Sequence, residues 1–276
     1  MKYPLPIKKI VHNTRYLIKR INKPDSIQLD WSPTLNNFGD ILNPVLINDI
    51  SKRNIINVSA KYCLSEHLMA IGSILDRATK MTTVWGSGFI SEESKYISVP
   101  KKICAVRGPL TREILLKNGV TCPEIYGDPA LLLPQFYSPK SKVKYKLGIL
   151  PHYIDKDSNW IKNIGSDVKI INIQNPNPLQ VIDEICECEN IASSSLHGII
   201  ISDAYKIPSV WIRLSNKIVG GNFKFHDYFS SIGTKTENPF IIDEQTSAKE
   251  LMSHCSINEI NLDLTALLNS FPKEYL

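Results

Sequence analysis

No two cysteines in this sequence are spaced as CxxC, and the six present (Cys63, Cys104, Cys122, Cys186, Cys188, Cys255) read as free thiols of a reducing compartment. Cys186-Glu187-Cys188 is not expected to hold zinc: Val181, Ile182, Ile185 and Cys186 form the buried stripe of a helix, and no second ligand pair has zinc spacing. No secretory leader is legible, and no apolar run approaches the roughly 20 residues of a transmembrane span, so the cytoplasm is the expected setting. The sequence also lacks GxSxG, HExxH, a P-loop lysine and a full GxGxxG. Support for the common hydrolase, metalloprotease, ATPase and NAD classes goes with them. A concentrated Lys/Arg stripe is missing too. The net charge of +5 therefore suits an anionic substrate or membrane surface, and no nucleic-acid partner is expected.

What remains is an ordinary globular composition, 43% hydrophobic and 21% charged over 276 residues, enough for one large domain or two modest ones. Residues 1–24 stand apart. Ile7, Ile10, Val11, Leu17, Ile18 and Ile21 recur at helical spacing, with Lys8, Lys9, Arg15, Lys19, Arg20 and Lys23 around them. Two readings stay open: a helix docked on its own protein, or one lying on an anionic membrane surface. From residue 25 to 136 strand and helix patterns alternate, as in "TTVWGSGFI", "KKICAVRG" and "PLTREILLKNG". Residues 137–146 are polar and basic, a linker. The alternation resumes over 147–276 and ends in a helical tail. Such βα alternation predicts an α/β fold with two Rossmann-like domains, parallel sheets, and a site in the cleft at the strand C-termini.

Polar junctions fall at those strand ends. Asn36-Asn37-Phe38-Gly39-Asp40 precedes the first helix; Gly86-Ser87-Gly88, Arg107-Gly108, Gly127-Asp128 and Pro151-His152 follow strands. Arg107 is either a turn cap or a fork of donors for a carboxylate or phosphate. Asp128 doubles as an N-cap for "PALLL", with Pro129 at the first helical position. His152 is a turn residue or part of a site. The densest junction is Ser193-Ser194-Ser195-Leu196-His197-Gly198, where hydroxyls, an imidazole and the free N–H groups of a helix start meet at one point.

"GDILNP", "VWGSGF", "AVRGPLT", "YGDPALLLP", "LPHY", "SSSLHGIIISDAYKIPSVWI" and "FKFHDYF" stand here in the order found in polysaccharide pyruvyl transferases, and residues 36–230 resemble that family. The resemblance implies a GT-B-like fold. It also implies transfer of enolpyruvyl from phosphoenolpyruvate to two hydroxyls of a sugar, forming a pyruvate ketal and releasing phosphate. The acceptor implied is a capsule or exopolysaccharide saccharide, lipid-linked at the inner face of the cytoplasmic membrane, and neither metal nor cofactor is implied. On this reading His197 is the acid/base. Arg107, Ser193, Ser194, Ser195, Leu196, Gly198 and Lys224 hold the donor, while Asn37, Asp40, Asn43, Ser87 and His152 face the acceptor. Some members place an arginine immediately before the Leu-His pair; here that position is Ser195, and a second cation is expected from Arg213, Lys217 or Lys224. A nucleotide-sugar glycosyltransferase of the same fold and a non-enzymatic saccharide-binding module are the alternatives.

Overall fold

In the computed structural model, residues 10–16, 21, 23–33, 37–165, 167–217, 220–234 and 238–276 are described. The first half builds five parallel strands: β1 (Ile27–Asp30), β2 (Ile55–Val58), β3 (His67–Met69), β4 (Thr82–Trp85) and β5 (Lys102–Ala105), ordered β2-β1-β3-β4-β5. The second half repeats the winding with β6 (Leu147–Leu150), β7 (Val168–Ile170), β8 (Ile191–Ser193), β9 (Ser209–Arg213) and β10 (Phe240–Ile241), ordered β10-β9-β8-β6-β7. In each sheet the first strand lies between the second and the third. The chain therefore reverses its winding beside β1 and β3, and again beside β6 and β8, leaving a crevice at their C-terminal ends. This is the expected α/β arrangement of two Rossmann-like sheets. β2, β3 and β10 were not among the strands read from the sequence.

Two helices bring chemistry to those crevices. α1 (Phe38–Ser51) carries Pro44 in its interior, which removes the N–H that would bond the Asp40 carbonyl. The Asn43 side chain supplies the missing donor, Nδ2 to Asp40 O at 3.2 Å, and also bonds both backbone groups of Ile71 at 2.9 Å. Asn43 is fully buried and locks α1 to the loop after β3, so its expected acceptor role is corrected to a structural one. After α2 (Pro109–Lys117), α3 (Asn159–Asn163) and α4 (Pro178–Cys186) comes α5 (Leu196–Ala204), buried from Leu196 to Asp203. Its apolar "GIIIS" face needs cover on every side, and it packs against the 3-10 turn Pro129–Gln135 of the first half.

The second half, expected over residues 147–276 with closing helices at its end, is packed closely on the first. α6 (Phe223–Ser231) packs on α2, in the first half. After α7 (Ala248–His254), α8 (Leu264–Asn269) and the tail return to the first sheet: Trp85 Nε1 donates to Leu267 O at 3.0 Å, and Lys102 pairs with Glu274 at 3.0 Å. One buried core runs through both halves, from Leu29 and Leu42 to Leu196 and Ile199.

Residues 10–16 are helical and dock through Tyr16, buried with Ile56, Val58 and Cys63, and through Asn13, whose Nδ2 donates to Tyr62 O at 2.9 Å. Ile10 and Ile21 stay 65% and 78% exposed. Val11, of the same stripe, is partly buried. Ile7, Lys8, Lys9, Leu17, Ile18, Lys19 and Arg20 lie outside the described residues. Among the described residues no helix is long and apolar enough to cross a membrane.

Candidate functional site

A cavity of about 240 Å³ opens where the two crevices face each other. Asn37 and Asp40 of α1, the Gly72-Ser73-Ile74 loop and Arg77 form one wall. His152-Tyr153-Ile154 after β6, Ser195-Leu196-His197 at the start of α5, and Lys224 of α6 form the other. Six of the residues read from the sequence as donor- or acceptor-facing therefore meet in one place: Asn37, Asp40, His152, Ser195, Leu196 and Lys224, with His197 among them.

The serine run divides its labour. Ser193 Oγ donates to Ser195 O at 2.9 Å and accepts from Ser195 N at 3.0 Å, closing the turn. Ser194 Oγ accepts from His152 N at 2.8 Å, tying the β6 and β8 loops together. Both are fully buried and off the cavity wall, so their expected donor-binding roles are corrected to structural ones. Gly198 also lies off the wall: a Cβ there would come within 2.2 Å of Ser193 Oγ, so glycine is what lets α5 start on top of this turn. Ser195 is the N-cap, and its side chain makes no cap hydrogen bond, leaving the hydroxyl to the cavity. The first N–H groups of a helix have no partner within it, and those of Leu196 and His197 carry the positive end of the dipole to the same place.

His197 sits between carboxylates of the first half. Its Nε2 lies 3.4 Å from Asp128 Oδ2, both atoms buried and neither with a hydrogen-bond partner among the described residues. Asp128 Oδ1 meanwhile accepts from Ala130 N at 3.0 Å, so the cap and the histidine contact coexist in one side chain. The Asp128 carboxylate is close enough to hold the ring by charge whenever the imidazole is protonated. The ring reaches this position over Gly39, where a Cβ would sit 2.1 Å from Nδ1.

Arg107 is corrected most sharply. It is fully buried, with Nε donating to Asp227 Oδ2 at 2.9 Å, Nη2 to Phe89 O at 2.7 Å, and Nη1 to Ser73 Oγ. Asp227 also accepts from Thr111 N and Oγ1 at 2.9 and 2.7 Å. The fork is spent on holding α6 to α2, and none of it lines the cavity. Ser87 is equally buried, its Oγ donating to Gly72 O at 2.9 Å. Of the three cations proposed to replace the missing arginine, Arg213 pairs with Asn222 beside a separate cavity, Lys217 is exposed, and Lys224 alone lines the site.

Burial, with the Arg107 charge behind it, lowers the Lys224 ammonium to about 8. Burial and then Lys224 lower His152 to about 4, so this imidazole is neutral at physiological pH. Burial raises the Asp40 carboxyl, opposed by His197 and Arg77. Ser32, Gly72, Ser73, Ile74, Arg77, Ile90, Tyr153 and Ile154 line the cavity without having been singled out in the sequence. Tyr153 was within reach, in the "LPHY" junction itself; Arg77 follows β3, a strand not read from the sequence.

The polysaccharide pyruvyl transferase family matches residues 10–216. The succinoglycan biosynthesis protein ExoV of Rhizobium meliloti is 31% identical over 234 residues, covering 80% of this chain and 69% of that protein. Uncharacterized protein L143 of Acanthamoeba polyphaga mimivirus is 28% identical over 248 residues, covering 86% and 80%. An uncharacterised Klebsiella pneumoniae protein of known crystal structure shares 12% identity over 84% of this chain and 98% of its own, with a TM-score of 0.46. A family match over residues 10–216, most of its length, means that the chain belongs to the polysaccharide pyruvyl transferase family.

Proposed function

We propose that the chain transfers enolpyruvyl from phosphoenolpyruvate to two hydroxyls of one sugar, as a pyruvate ketal, in the biosynthesis of an exopolysaccharide or capsule. The observation that carries this reading is the meeting of an ammonium, a helix N-terminus and a carboxylate-held histidine in one cavity. Phosphoenolpyruvate needs its phosphate held and its methylene carbon protonated. Lys224 and the N–H groups of Leu196 and His197 meet the first need, as helix starts do for phosphates. His197, held by Asp128, meets the second. Protonation makes the methylene a methyl and leaves an oxocarbenium-like C2. One hydroxyl attacks C2, phosphate leaves, and a second hydroxyl closes the ring. Of the two hydroxyl protons, one balances the proton given to carbon and the other ends on phosphate. Asn37 and Asp40 face the acceptor from the opposite wall, and because burial raises Asp40, it is suited to take a hydroxyl proton. The leaving group is already phosphate, so the scheme uses no metal or cofactor.

The test follows phosphate release from phosphoenolpyruvate, in the presence of a chelator, with saccharide acceptors free or carried on anionic vesicles. Release that depends on a saccharide supports the reading. Stabilisation by a nucleotide sugar, with indifference to phosphoenolpyruvate, moves the protein to the glycosyltransferases. Faster turnover on vesicles, lost at high salt, supports work at the inner membrane face, where exposed Ile10 and Ile21 would meet lipid.

Lys224 gives the donor site a pH signature. Its lowered value means that the ammonium form, which the anion requires, is depleted above about pH 8. Donor affinity is expected to be flat below that point and to fall as pH rises through it. Lys224→Arg, which stays charged, is expected to abolish the fall. Titration calorimetry from pH 7 to 9.5 checks this, and an unchanged fall in the arginine variant would remove Lys224 from the site.

A further inference from the structure

We propose that Arg77 holds the donor's carboxylate, gripping it from the first half while Lys224 and α5 hold the phosphate from the second; this rests on the pyruvyl transfer proposed above. A donor with two anionic groups needs two cationic grips, and Arg107 is spent on Asp227. Arg77 ends the short 3-10 turn Leu75–Arg77 after β3, a turn pinned by Leu75 N to Gly88 O at 3.2 Å and Arg77 N to Ile74 O at 3.0 Å. Its side chain lines the cavity and remains 36% exposed.

Among the described residues its one ion-pair contact is Asp30 at 3.8 Å, itself 2% exposed at the end of β1 and anchored by Ala60 N at 3.3 Å. A guanidinium has five N–H donors in a planar fork. Asp30 lies 3.8 Å from one nitrogen of that fork, Nη1, and among the described residues no side-chain hydrogen bond takes up its open edge. The open edge matches a carboxylate bidentately, whereas an ammonium with helix N–H groups suits the phosphate. Burial holds Asp30 at about 6, so near neutral pH it is largely ionised and able to keep Arg77 in place. The two grips come from different halves, and His197 lines the same cavity. The signal was absent from the sequence because Arg77 belongs to no polar junction of a legible strand.

The test is calorimetric titration of the full chain with phosphoenolpyruvate and, separately, with inorganic phosphate. Arg77→Ala is expected to weaken phosphoenolpyruvate about 10- to 100-fold, the usual cost of lost hydrogen bonds to a charged group, and to leave phosphate affinity essentially unchanged. Arg77→Lys is expected to restore only part, since an ammonium cannot make the bidentate contact. Lys224→Ala is expected to weaken both ligands. Melting curves confirm that each variant is folded, and Arg77→Lys serves if the alanine variant is not. Equal losses for phosphate and phosphoenolpyruvate in Arg77→Ala would overturn the carboxylate assignment. Unchanged phosphoenolpyruvate affinity with a lowered kcat would mean that Arg77 acts on Asp40 and not on the donor. A native chain that binds no phosphoenolpyruvate fails the transferase reading itself, a result separable from a native chain that binds it as tightly as Arg77→Ala does.

Discussion

Replacing His197 by glutamine is expected to lower kcat by about 10²–10⁴-fold, the usual contribution of a positioned acid or base, with phosphoenolpyruvate affinity close to that of the native chain. Glutamine keeps a polar side chain over Gly39 and leaves the helix start intact, so the N–H groups that face the phosphate remain. The proton for the methylene carbon is lost. Asp128→Asn is expected to move kcat in the same direction without loss of stability. Its carbonyl can still cap Ala130 N, but an amide facing Nε2 carries no charge with which to hold a protonated ring. Steady-state kinetics beside direct titration of the donor separates the two quantities. A His197→Gln variant that turns over normally but binds the donor poorly would make His197 a ligand-holding residue and not an acid.

The second large effect belongs to Arg107→Ala, and it falls on stability. With the guanidinium gone, Asp227 remains at 0% exposure with two Thr111 donors and no cation. Breaking a buried ion pair from one side typically costs about 3–5 kcal/mol, a large share of the stability of most domains. Chemical denaturation is expected to show a midpoint lowered accordingly. Arg107→Lys is expected to rescue little, because three separate nitrogens of the fork each have their own acceptor. Activity would fall with the docking of α6 on α2, since α6 carries Lys224. An Arg107→Ala protein as stable as the native one but unable to bind the donor would return Arg107 to the anion site.

Several parts of this molecule were readable without the structure. The alternation of apolar runs with amphipathic ones marks most of both parallel sheets, because the strand and helix periods are local properties of the chain. Pro109 and Gly119 bound α2, and the serine-histidine-glycine junction marks the start of α5, for the same reason: caps and turns act within a few residues. The cavity's second wall was accordingly legible, with Ser195, Leu196 and His197 consecutive in the chain.

What the sequence determined by itself is therefore the winding of two α/β halves and a polar helix start carrying His197. Tertiary structure alone decided which polar residues meet a ligand. Ser193, Ser194, Ser87 and Asn43 looked like site residues, but backbone groups brought near them by folding consumed their donors and acceptors. Arg107 and Asp227 are 120 positions apart, and only the return of α6 to the first half pairs them. The same return brings Lys224 to the cavity that Arg77 lines from the loop after β3. A side chain's role depends on which partners reach it first, and partners so distant in sequence leave no local pattern to read.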